Sequence, residues 1–167
     1  MLPHKEFNHK KAALPSNEDI LYARSIQGML APTEEELNDL FQNLAVYDKP
    51  LGFLSGDFLF ARKKKDLTFL AVCDCTGHGM SAALMTVLAR EKLSHAFDKS
   101  IGPAHLLTRL DEKFRRSILR GDKGRLMRAG AGMDLAVIAL NHDRRSLRFA
   151  GARRPLWIVR NGELLEF

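Results

Sequence analysis

Two aspartates and a glycine turn carry the chemical content of this chain. Asp57 follows Ser55 and Gly56 at the head of an apolar run, and Asp74 ends a second apolar run that passes into Thr76, Gly77, His78 and Gly79. Carboxylate oxygens suit hard cations such as Mg²⁺ and Mn²⁺. A carboxylate shared by two such ions is a common way to hold them and to activate water between them. Glycines after Asp74 let backbone and water approach without a Cβ. A helix starting near Met80 adds a positive dipole end, which favours a phosphate oxygen. Each piece alone has a plainer reading. A strand-end aspartate can cap a turn, a Gly-His-Gly triplet can be a tight turn, and His78 can bind metal, act as an acid or hydrogen-bond the turn. A zinc site would recruit Cys73, Cys75, His78 and His95, but their spacing is not a standard zinc pattern.

The elements that must position these groups are legible in outline. Ser16 with Asp19 and Thr33 with Glu36 have capping-box spacing, so helices are expected after each. Ile20, Ala23, Ile26 and Leu30 share one face of the first helix, and Leu37, Leu40, Phe41 and Leu44 one face of the second. Residues 44–47 form a short candidate strand. Strands over 52–61 and 67–75, joined by the charged turn RKKKD, read as a hairpin. If they pair antiparallel, Asp57 and Asp74 reach the same edge of the sheet. A helix from Met80 carries Met80, Leu84, Val87 and Leu88 on one stripe, with Phe97 near its end. Pro103 suits the first turn of another helix, with Leu107, Leu110, Phe114 and Ile118 on its buried face. A glycine-rich basic loop spans 121–132. Strands over 133–140, 146–150 and 156–159 follow, with Asn161-Gly162 as a hairpin turn before a last arm, 163–167. Strands, then helices, then strands give an α+β fold.

Bulk properties narrow the function. The 167 residues suffice for one domain with a core. No run approaches the roughly 20 apolar residues of a membrane span, and the N-terminus lacks the apolar core of a signal peptide. A cytoplasmic protein is the expectation. Cys73 and Cys75 are the only cysteines and alternate with Asp74, so both point to one face of a strand as thiols. The net charge of +6 is spread over small basic groups without interleaved aromatics, which argues against nucleic acid and leaves attraction of an anionic partner such as a phosphoprotein.

Four segments in order resemble a known family: SGDF (55–58), AVCDCTGHGMSAALM (71–85), GMDLAVIAL (132–140) and AGARRPLWIVRNGEL (150–164). They are similar to the SpoIIE-like branch of the PPM-type (type 2C) metal-dependent protein serine/threonine phosphatases. DILYARSIQ (19–27) resembles the helix that often joins that domain to a sensor.

The resemblance implies an α-β-β-α sandwich with a Mn²⁺ or Mg²⁺ pair at one edge of the strands. It implies hydrolysis of phosphoserine or phosphothreonine by metal-activated water. Asp57, Asp74 and the backbone carbonyl of Cys75 match the metal ligands, with Asp74 the bridge. His78 matches the family histidine, and its role as catalytic acid is left open. Gly77, Gly79, Asp134, Arg153 and Arg154 fall near the substrate phosphate, Arg153 and Arg154 standing where relatives often have His or Asn. Asp134 either supports the site or ends the glycine loop. The family continues past the Asn-Gly hairpin to a further Asp-Gly motif and a final acidic ligand, so the domain is expected to be C-terminally incomplete and to lack its last strands.

The expected organisation is a flexible segment over 1–15, linker or regulatory helices over 16–43, and the phosphatase domain over 44–167. The implied partner is a phosphorylated regulator, for example a STAS-type antagonist. A homodimer through the first helix is a further expectation. The alternative to an active enzyme is a non-catalytic regulatory or interaction module on the same fold.

Overall fold

A computed structural model describes residues 15–120, 130–143 and 145–167, without the side chains of Ile118 and Arg120. The expected flexible N-terminus, as far as residue 14, and most of the glycine-rich basic loop lie outside the described residues.

The chain runs α1 (Asn17–Gly28), α2 (Glu34–Leu40), β1 (Asp57–Lys64), β2 (Leu67–Cys75), α3 (Gly79–Asp98), α4 (Pro103–Arg120), β3 (Met133–Asn141), β4 (Ser146–Ala152), β5 (Trp157–Arg160) and β6 (Glu163–Glu166). The four strands β1-β2-β3-β4 form one antiparallel sheet in sequence order, and β5-β6 form a separate hairpin. Helices α3 and α4 pack together and cover one face of the sheet. These elements have the α+β architecture expected from the sequence.

The strand period decides which face is which. Phe69, Ala71, Cys73 and Cys75 alternate inward from β2 and are buried, while Val72 between them is half-exposed on the opposite face. Phe60, Phe69 and Phe97 meet edge-to-face at ring-centroid distances of 5.5 and 5.2 Å, with Phe97 contributed by the last turn of α3. Leu93, Leu106, Leu110, Leu135 and Val137 complete this core.

Helix α3 turns out differently from the stripe read in the sequence. Met80, Leu84 and Val87 are exposed, and the inner face is Ala82, Thr86, Ala89, Leu93, Ala96 and Phe97. Small residues every seven positions let the helix lie close to the sheet, which the larger residues of the expected stripe would prevent. On α4 the buried residues include Leu106, Leu110 and Phe114, with Leu107 half-buried.

The expected strand over 44–47 is absent. Residues 44–50 take no regular structure, and Val46 and Tyr47 are exposed without a pairing partner. β1 begins only at Asp57, because residues 51–54 bend, and it ends in the two-residue turn Lys65-Asp66. Asn161 and Gly162 both have positive φ, the conformation that a two-residue hairpin turn needs.

Both capping boxes form as expected, Ser16 with Asp19 and Thr33 with Glu36. Helix α2 buries Leu37 and packs against β1, whereas α1 buries no residue. Its attachment is polar. The Gln27 side chain donates to the Ser55 carbonyl at 2.7 Å and to the Thr86 hydroxyl at 3.1 Å, and accepts from the Ser55 N–H at 3.0 Å.

Candidate functional site

The register of the sheet places three aspartates in one row. Asp57 lies directly opposite Asp74, and Asp74 directly opposite Asp134, across β1, β2 and β3. Opposed residues of an antiparallel pair project from the same side, so this row stands on the face away from α3 and α4. The next row on that face is Leu59, Val72, Ala136 and Gly151. The acidic row therefore sits at the end of an otherwise apolar surface.

Backbone contacts fix this end of the sheet. The Cys75 N–H donates to the Gly56 carbonyl at 3.0 Å, and the Thr76 N–H to the Gly132 carbonyl at 3.1 Å. The Gly132 N–H donates to the Thr76 hydroxyl at 2.9 Å. Gly56 lies so close that a Cβ there would come within 2.7 Å of the Cys75 carbonyl oxygen. The Ser55 hydroxyl accepts from the Asp57 N–H at 3.0 Å, setting the first aspartate at the mouth of β1. These contacts explain the Ser-Gly-Asp order: a hydroxyl to hold the turn, no side chain against the neighbouring strand, then the carboxylate.

Asp57 and Asp74 act on each other. Desolvation is the main cause that raises the pKa of Asp57, and the negative charge of Asp74 adds to it. Arg154 opposes the rise through its positive charge, and its guanidinium forms an ion pair with the Asp74 carboxylate. Arg153 lies beside Asp134, Nε to Oδ1 3.6 Å. Both arginines come from the segment just after β4, where Arg153 turns the chain with φ +60°. Strand pairing stops at Leu135 opposite Ala152, one residue short of Asp134 and Arg153.

Of the residues singled out in the sequence, Asp57, Asp74, Asp134, Arg153 and Arg154 thus gather at one end of the sheet. Gly77 and Gly79 form the turn into α3 with φ +104° and +63°, values that favour glycine. His78 is the N-cap of α3. It is exposed and makes no side-chain capping bond. Cys73 and Cys75 point away from the aspartates, into the core, as free thiols. That orientation removes them from any zinc site with His78, although the charges of Asp74 and Asp57 still add to the rise in the Cys75 pKa.

The donor set fits one hard cation. Mg²⁺ is commonly held by one or two carboxylates with several waters, and Asp57 opposed to Asp74 supplies two. No group of three or more His, Cys, Asp or Glu side chains suited to a metal occurs among the described residues.

Sequence reasoning missed two features of the site. One is Gln27, whose signal was a lone amide on the inner side of α1 in a row with Ile20, Ala23 and Leu30. The other is the Arg154–Asp74 contact, which joins residues 80 positions apart and which no local pattern encodes. A cavity of about 520 Å³ opens beside Asp57, between α1, residues 46–53 and the β1 edge, with Arg24 and Arg90 on its wall.

Comparison with known proteins agrees with this geometry. The profile of the family described as Stage II sporulation protein E (SpoIIE) matches residues 64–166. The chain belongs to the SpoIIE family of PP2C-like, PPM-type phosphatase domains. A solved structure, the SiaA-PP2C domain of Pseudomonas aeruginosa, superposes with a TM-score of 0.77 at 31% identity, over 89% of this chain. The chain spans 58% of that domain's length. No curated protein matches. SpoIIE-family membership accounts for the α+β sandwich architecture, of which the described residues form one sheet, its helical layer and the β5-β6 hairpin.

Proposed function

We propose that this SpoIIE-family domain recognises phosphorylated protein and serves as a regulatory or interaction module, with little hydrolysis from the described residues alone. The observation that carries this reading is the Arg154 guanidinium on Asp74, the residue that the family resemblance makes the bridging metal ligand. A carboxylate neutralised by an internal cation is a poor ligand until that cation leaves.

The same end of the sheet is equipped to hold a phosphate. Arg153 and Arg154 offer guanidinium donors, which match phosphate oxygens in pairs. Side-chain exposure of 85% and 48% leaves them open to a ligand. The Gly77–Gly79 turn leads from β2 into the N-terminus of α3, the positive end of that helix. A phosphoserine or phosphothreonine segment of a regulator, a STAS-type antagonist among the candidates, is the partner this chemistry fits. A second copy of the chain is a further proposed partner, through α1, where Leu21 and Tyr22 are exposed, and through Met29 at its C-cap.

The second reading is hydrolysis, favoured by the direct opposition of Asp57 and Asp74. In that reading both carboxylates and the Cys75 carbonyl would hold Mn²⁺ or Mg²⁺, which would supply Lewis acidity toward the phosphoryl group and attacking water. Asp57 and Asp74 would orient the cation, Arg153 and Arg154 would orient the phosphate, and His78 stands exposed at the turn.

Titration calorimetry separates the two. The regulatory reading expects at most one weakly bound Mn²⁺ per chain, lost in Asp74→Asn, with phosphoserine-peptide binding that weakens in an Arg153→Ala, Arg154→Ala double variant. Tight binding of two Mn²⁺ ions would support the hydrolase instead.

A further inference from the structure

We propose that Arg154 is a built-in competitor for the cation site: its guanidinium must leave Asp74 before Asp57 and Asp74 can share a divalent ion. This rests on the assignment of Asp57 and Asp74 as a candidate cation site and adds a control element that the family relationship does not supply.

Three observations support it. First, the guanidinium contacts the Oδ2 atom of Asp74 directly, so arginine and a divalent ion would draw on the same lone pairs. Second, Arg154 has room to leave. Its side chain is half-exposed, and it follows Arg153, whose φ of +60° places it in a turn outside the strand ladder. Third, the turn is held from behind rather than through Arg154. A Cβ on Gly151 would come within 2.3 Å of the Arg154 carbonyl and 2.8 Å of the Phe149 ring. The backbone is thus packed against β4 while the side chain reaches across β3 to β2. Rotation of the half-exposed side chain would clear Asp74 without requiring this backbone to move.

The competition is between one positive charge tethered nearby and two positive charges free in solution. An exposed or half-exposed ion pair contributes little on its own, so displacement is feasible at ordinary Mn²⁺ concentrations. A guanidinium that stayed in place would also repel the arriving ion. Arg153 provides an internal control, because it lies beside Asp134 and not beside Asp74.

The test is Mn²⁺ titration, by calorimetry, of the full 167-residue chain and its Arg154→Gln, Arg154→Lys and Arg153→Gln variants. Arg154→Gln is expected to bind Mn²⁺ roughly two- to fivefold more tightly than wild type, the range set by a partly screened ion pair. Arg154→Lys keeps the charge and is expected to fall between the two. Arg153→Gln is expected to stay within about twofold of wild type. Thermal melts without metal check that each variant is folded, and Arg154→Lys carries the test should Arg154→Gln fail to fold. Equal or weaker Mn²⁺ binding by the Arg154 variants would overturn the proposal, as would absence of Mn²⁺ binding from all four proteins. Failure of the regulatory reading is seen separately, as turnover of a phosphoserine peptide by wild type, which leaves the order of Mn²⁺ affinities intact.

Discussion

At the scale of single residues, the sheet separates two kinds of titratable group that are adjacent in sequence. Asp74 faces the open side with Asp57, while Cys73 and Cys75 face the core. Burial is the main cause that pushes the Cys75 thiol up to about 12, and it raises Cys73 further. Thiolate is the reactive form, so neither cysteine is expected to react with a disulfide reagent at neutral pH in the folded protein. Both should react on addition of denaturant, and rapid labelling of the native protein would contradict the burial described here. Asp57 behaves in the opposite sense to a salt-bridged carboxylate. Its pKa is raised in the folded state, so the folded protein holds that proton more tightly than the unfolded chain. The associated stability is present below the ordinary carboxylate pKa and lost as pH rises through the raised value. Asp57→Asn is therefore expected to stabilise the metal-free protein near neutral pH, by on the order of 0.5 kcal/mol after allowance for exposure. The gain should vanish in acid. Urea melts of the two proteins across that pH range check the sign.

Whole elements depend on contacts that join distant parts of the chain. The Lys64 ammonium, from the end of β1, donates to the carbonyls of Phe97, Asp98 and Ser100 at 3.0, 2.8 and 2.8 Å. It thereby caps the last turn of α3, where a cation also complements the helix dipole. It lies 5.5 Å from the centre of the Phe97 ring as well. Replacing Lys64 by Met is expected to cost about 1–3 kcal/mol in urea unfolding, since these carbonyls lose a charged donor. Gly56→Ala is expected to cost about 1–3 kcal/mol by forcing β1 away from the Cys75 carbonyl. An unchanged urea midpoint in either variant would show that the contact carries no stability.

These two residues also show where sequence reading succeeds and stops. The hairpin of β1 and β2, both capping boxes and the Asn-Gly turn were legible because period and turn chemistry are local. Lys64 read only as part of a charged turn, because its partners lie over 30 positions away. The buried face of α3 was misread because alanines, not the large apolar residues, make the close contact with the sheet. The Asp57–Asp74 pairing was anticipated from the hairpin, whereas Arg154 over Asp74 depends on how β4 ends.

For the molecule as a whole, the described residues combine a closed core on one side of the sheet with a partly open apolar surface on the other. No described helix is long and apolar enough to cross a membrane. The SpoIIE-family relationship sets the chemistry to be tested, and the chain spans 58% of the SiaA-PP2C domain. On the proposed reading, Asp57 and Asp74, with Arg154 on the latter, are expected not to sustain efficient hydrolysis by themselves. The direct measurement is the initial rate of phosphate release from a phosphoserine peptide by the 167-residue chain with saturating Mn²⁺, beside Asp74→Asn. Wild-type release is expected to be indistinguishable from, or only a few times above, that of the variant. Robust multiple-turnover release by wild type, abolished in Asp74→Asn, would contradict it and establish the hydrolase.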